Sequence, residues 1–241
     1  MRRRLTTRTR ANSAGRGDRV TSIEQATTTV TRSADELWLD VLEQVSARTA
    51  HELKGVLNGV SVNLEVVRSR SSRPDAGAAS VAPFASSAAD QLDAAVGMTE
   101  ALLDLARSPR EPVDVAKTVA SFASLLAPSA RAEGGSLRVE WPSRDLTMAA
   151  VRARGNVVRV VIGAALLGAL SRKGDIRCRV DVGDETVVSI ECADAEGPLG
   201  LSADVLAVAA TAGVRVHGEG HNISLTFPRA GAARQRTHER A

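Results

Sequence analysis

One run of side chains constrains this chain more than any other feature. From Trp38 onward, apolar or small residues recur at Leu42, Val45, Thr49, Leu53, Val56, Val60, Leu64 and Val67, always three or four positions apart. That spacing is one face of a single α-helix of about 35 residues, long for a globular domain and typical of a bundle or coiled coil. Ser33 followed three residues later by Glu36 supplies the capping box that starts it. Such a stripe cannot be buried by one isolated helix. After Arg68 to Pro83, which reads as a loop rich in Ser, Gly, Ala and Pro, a second pattern follows. It places Phe84, Ala88, Leu92, Ala95, Met98 or Thr99, Leu102, Leu103 and Leu105 on its apolar side and ends at Ser108-Pro109, where proline stops the helix. The expectation is an antiparallel hairpin over residues 33–109, which a second copy completes as a four-helix bundle. A homodimer follows from that.

Beyond Pro112 the period changes. Val113 to Leu126 reads as a helix and Ser136 to Trp141 as a strand. Asn156 to Leu170 is a strongly apolar helix, Ile176–Val182 and Val187–Cys192 are paired strands, and Ala203–Ala212 is a helix. Val214–Val216 and Ile223–Phe227 complete the set. The fold class is therefore α followed by α/β, with a mixed sandwich over residues 110–228. Residues 1–32 and 229–241 are basic, poor in apolar side chains, and read as disordered tails.

Charge and composition exclude several classes of function. The excess of 31 Lys and Arg over 28 Asp and Glu comes from the tails, so the body is net acidic and no nucleic-acid surface is indicated. Aromatic residues make up 2% with no Tyr, which leaves no platform for stacking bases. The longest uncharged apolar run, Val160 to Leu170, is far short of a membrane span. Cys178 and Cys192 have no metal-ligand spacing and point to a reducing, cytoplasmic setting. If Val182 pairs with Val188, the two cysteines face each other across a hairpin; both read as small core residues. His217 and His221 flank a turn around Gly218-Glu219-Gly220 and have no carboxylate or thiol cluster to form a metal site.

The chemistry lies in Thr49-Ala50-His51-Glu52-Leu53-Lys54-Gly55-Val56-Leu57-Asn58. His51 falls off the apolar stripe, in mid-helix, and is expected to face solvent. Imidazole in water titrates near about 6.5 and is mostly a free nucleophile at neutral pH. Glu52 beside it could orient the ring or take its proton. This segment resembles the phosphoacceptor segment of bacterial sensor histidine kinases, H-E-L-K-N-P-L-N, at six of its eight positions. The resemblance implies a phosphorylated His51, a dimerising hairpin and receiver domains of response regulators as partners, with Glu52, Lys54 and Asn58 as supporting residues. Gly55 replaces the Thr or Asn that positions water in that family, which argues against a phosphatase activity, and Val56 replaces the common Pro.

The second domain resembles the family's ATPase domain in outline only. The helix that should carry a magnesium-binding Asn has none after Asn156. The D-x-G-x-G adenine motif is reduced to Asp194-Ala195-Glu196-Gly197, which leaves Asp194 as a relic of an ATP site. Only Gly197-Pro198-Leu199-Gly200-Leu201 precedes the next helix, so the ATP lid reads as deleted. These changes remove an oxygen ligand, add a carboxylate beside a polyanion, and delete phosphate-cradling N–H groups. The expected function is that of a dimeric histidine phosphotransferase passing phosphoryl groups between receiver aspartates through His51, with no cofactor of its own. A divergent ATP-dependent kinase and a non-catalytic scaffold for response regulators are the alternatives.

Overall fold

The computed structural model describes residues 32–73, 77–107, 113–141, 150–151, 153–193 and 197–228. Both tails, Ser108-Pro109 and Asp194 lie outside the described residues. Helix α1 (Ala34–Ser71) opens on the expected capping box: the Glu36 N–H donates to Ser33 Oγ, and the Ser33 N–H donates to the Glu36 carboxylate at 2.7 Å. Helix α2 (Ala78–Ala106) returns antiparallel along it. Asn63 Nδ2 reaches Ser87 Oγ at 3.2 Å and Gln91 Oε1 at 3.1 Å, and Arg70 Nη1 donates to the Ser80 carbonyl at 2.9 Å near the connection between the helices.

The loop expected over 68–83 is shorter than the sequence suggested, because Pro83 lies inside α2. In the second turn a proline forfeits only the bond to the Ala79 carbonyl, and that side of the helix is exposed.

A two-residue strand β1 (Val113–Asp114) leads into α3 (Val115–Ala132), capped by Asp114 accepting from the Lys117 N–H. The strands β2 (Ser136–Glu140), β4 (Asp175–Val182), β5 (Glu185–Cys192), β6 (Arg215–Glu219) and β7 (Asn222–Pro228) form one sheet, with β3 (Ala150–Val151) pairing antiparallel to β1. The sheet order is β2-β4-β5-β7-β6, in which β2 and β4 are parallel and every other pair antiparallel. Alternate strand residues, such as Ile176, Cys178 and Val180, are buried beneath α3, α4 (Gly155–Leu170) and α5 (Ala203–Thr211). Arg177, Arg179 and their neighbours occupy the solvated face, the in-out alternation an antiparallel sheet requires.

The turn between β4 and β5 is tighter than the sequence reading assumed. Val182 pairs with Thr186, so Cys178 faces Ile190 and Cys192 faces Ile176. The two cysteines are buried and are not bonded to each other, and burial pushes the Cys178 thiol up to about 12. The lower hairpin and the α/β layer share one apolar core: Leu37, Trp38, Val41, Val45, Met98 and Leu105 pack with Phe122, Val161 and Ile162. Among the described residues, no helix is long and apolar enough to cross a membrane.

Candidate phosphoacceptor site

Burial divides α1 into an inner seam, a flanking seam and an outer face. Trp38, Leu42, Val45, Thr49, Glu52, Val56, Gly59, Asn63, Val66 and Arg70 are all buried or half-buried, at alternating spacings of four and three. This is a heptad seam, and at Gly59 a Cβ would come within 2.7 Å of Gln91 Nε2, so a larger residue there would displace the Gln91 side chain. Beside it runs a second heptad line, Leu53, Leu57, Val60, Leu64 and Val67, of which Leu57 is 45% and Leu64 53% exposed. On α2 the matching line is Ala85, Ala89, Leu92, Val96, Thr99 and Leu103, exposed throughout, with Leu92, Val96 and Leu103 at about half exposure. Both lines are rotated the same way from the inner seam. Because the helices are antiparallel, they open on one side of the hairpin.

His51 is exposed on the far side. At about 100° per residue its Cβ lies roughly 130° round the helix from the middle of the inner seam. Lys54, Gly55, Asn58 and Val62 share that outer face, and all are exposed. The structure thus brings His51, Lys54 and Asn58 onto one accessible strip. Glu52 is turned inward and half-buried, and among the described residues no hydrogen bond or ion pair joins it to the imidazole. A Cβ at Gly55 would meet nothing within 4 Å, so the backbone beside His51 forms a shallow notch. One turn below, Arg48 bridges to Glu133 beyond α3 at 3.0 Å, which brings the edge of the α/β layer next to the histidine.

A cleft of about 470 Å³ lies between α1, α4 and α5, lined by Arg32, Asp40, Gln44, Gly168, Ser171 and Ser202, among others. The α4 helix contributes Ala164, Leu167 and Gly168 to it, and no amide side chain. Arg32 and Asp40 pair at 2.5 Å; that bond lowers the Asp40 pKa and raises that of Arg32. With its arginine already paired and Asp204 also on the wall, the cleft has no unpaired cation among its described lining residues to meet a triphosphate. The connection to α5 is drawn onto the sheet: the Leu199 N–H donates to the Gly220 carbonyl at 3.0 Å. Among the described residues, no cluster of three His, Cys, Asp or Glu side chains could hold a metal.

Two features of this region escaped the sequence reading, Arg159 and Gly163. The signal for the first was present: Arg159 is the single charge in the apolar helix α4.

No protein-family model matches the chain, and no curated protein matches it. Among solved structures it is similar to full-length ShkA in complex with AMPPNP, at 15% identity and a TM-score of 0.38, over 79% of this chain and 46% of that one. It is similar to the Acinetobacter baumannii histidine kinase AdeS at 13% identity and 0.37, over 75% and 98% of the two chains. It is also similar to the Erythrobacter litoralis blue-light activated histidine kinase EL346, at 15% identity and 0.35, over 58% and 55%. The chain thus spans about half the length of ShkA and of EL346.

Proposed function

We propose that this protein is a two-component relay protein, a homodimeric histidine phosphotransferase acting through His51. The observation that carries the reading is the exposure of His51 on the face opposite the apolar seams, within the H-E-L-K…L-N segment. A receiver domain can therefore approach the imidazole while a second copy of the chain covers Leu57, Leu64, Leu92 and Val96 on the other side.

In the forward step the unprotonated ring nitrogen of His51 attacks the phosphorus of a receiver's aspartyl phosphate. The N–P bond forms, the acyl P–O bond breaks, and the aspartate carboxylate leaves. In the second step another receiver's aspartate takes the phosphoryl group and the imidazole leaves. The other ring nitrogen keeps its proton throughout, so no general base is required, and the inward-turned Glu52 is not placed to be one. Lys54, one turn from His51 on the same strip, offers a cation to an acidic receiver pocket. Asn58 adds an amide donor a further turn along, and the edge of the α/β layer at Glu133 forms a second wall.

The test is transfer from receiver domains prephosphorylated on aspartate. Acid-labile label appearing on the wild type and absent from His51→Ala supports the relay. Label absent from both overturns it, and a parallel lane with labelled ATP identifies a kinase.

A further inference from the structure

The hairpin and the α/β layer are fastened by a set of contacts along the first half of α4, with an ion pair beside α3. Arg159 is buried, 7% exposed. Its guanidinium donates Nη1 to the Arg107 carbonyl at 2.6 Å and Nη2 to the Asp104 carbonyl at 3.0 Å. These carbonyls lie at the C-terminal end of α2, where the helix supplies no N–H partner, so α4 caps α2 from across the interface. The guanidinium also lies 5.3 Å from the centre of the Trp38 ring. Trp38 in turn meets Phe122 of α3 edge-on, with centroids 6.4 Å apart.

One turn along α4, Gly163 admits α1 at close range. A Cβ there would lie 2.5 Å from Val41 Cγ1 and 2.7 Å from Phe122 Cζ. At the start of α4 Asn156 Nδ2 donates to Asp35 at 2.5 Å, and beside the end of α3 Arg48 of α1 bridges to Glu133. Separating the layers would expose the shared core and break both charged hydrogen bonds of a buried guanidinium, whose pKa burial already lowers.

We propose that this clamp, Arg159 with Trp38 and the Gly163 notch, holds the hairpin and the α/β layer as one rigid body that keeps His51 away from the chain's own cleft. Gln44 is the α1 residue of the cleft wall nearest to His51 in sequence. His51 lies seven residues beyond it, about 10 Å along the helix. Phosphoryl transfer needs the reacting atoms about 3–3.5 Å apart. The inference rests on reading His51 as the phosphoacceptor, and it means that the phosphoryl group does not reach the histidine from the chain's own cleft.

The experiment is a pulsed electron-electron distance measurement on the full chain. Nitroxides are placed at Glu65→Cys and Glu219→Cys, both on exposed side chains, and the labelled chain is diluted into excess unlabelled chain so that pairs lie within one protomer. Cys178 and Cys192 are buried and stay unlabelled. The wild type is expected to give one narrow distance population. Arg159→Met is expected to at least double its width at unchanged helical content, and Arg159→Lys, which keeps the charge without the two-pronged cap, to fall between. A wild-type distribution with two or more populations overturns the proposal even if the variants fail to fold. An unchanged width in both folded Arg159 variants overturns the clamp. The distances require no phosphoryl transfer, so failure of the relay reading would show separately, as absent label on His51.

Discussion

The two halves of the hairpin obey different rules. In α1 the fully buried residues are Leu37, Trp38, Val41, Val45 and Thr49, and beyond Thr49 no residue of the helix is buried. The lower half is thus an integral part of the core, held by α3 and α4. The upper half carries an equally regular heptad pattern with one seam satisfied by α2 and the other open to solvent. His51 sits two residues above the boundary. The difference teaches that the same periodicity has two outcomes: below the boundary it makes a foundation in the core, and above it an apolar seam left open to solvent.

Substitutions should act according to the half they fall in. The largest effect is expected for Trp38→Ala, which removes the ring that packs on Phe122 and under Arg159; a loss of about 3–5 kcal/mol in denaturant unfolding is predicted. Gly163→Val should cost about 1–3 kcal/mol by overpacking the same interface. An upper-half pair, Leu57→Glu with Leu92→Glu, should leave the unfolding of each chain nearly unchanged while converting a dimer to a monomer in sedimentation equilibrium. A dimer persisting in that variant would show that the open seams are not the dimer contact.

A smaller effect is expected at the foot of the hairpin. Ser33→Ala should cost about 1 kcal/mol by removing the N-cap. Hydrogen bonds from the Ser33 backbone and hydroxyl lower the Glu36 pKa below its ordinary 4.5. The sign follows: the box's contribution is fully present above pH 4.5 and is lost as pH falls through the lower, folded value. An acid titration of helicity should show that loss in the wild type and a smaller one in Ser33→Ala, which keeps the backbone N–H bond to Glu36. Smallest of all, His51→Ala should change stability by no more than about 0.5 kcal/mol, because the exposed imidazole has no partner among the described residues.

Much of this was legible in the sequence because it is periodic. The stripe from Trp38 to Val67 fixed one long helix, and the offset of His51 from that stripe fixed its exposure, since a helix converts spacing directly into direction. The strand alternation likewise predicted the buried face of β4 and β5. What could not be read was set by contacts distant in sequence. Nothing in the local chain says that Gly163 is a notch for Val41, and Pro83 reads as a helix breaker unless its lost carbonyl partner is known to face water. The β4–β5 register turned on the length of one turn, which moved Cys178 from Cys192 to Ile190. The inward rotation of Glu52 was implicit in the spacing, because it lies three residues from Thr49 on the inner seam.

The most direct test of the central claim is the transfer assay with a phosphorylated receiver domain, the wild-type chain and His51→Ala side by side. The account predicts acid-labile, base-stable label on the wild type at His51 and none on the variant, with the same receiver bound by both. Label on both proteins, or on neither while the receiver still binds, would contradict it.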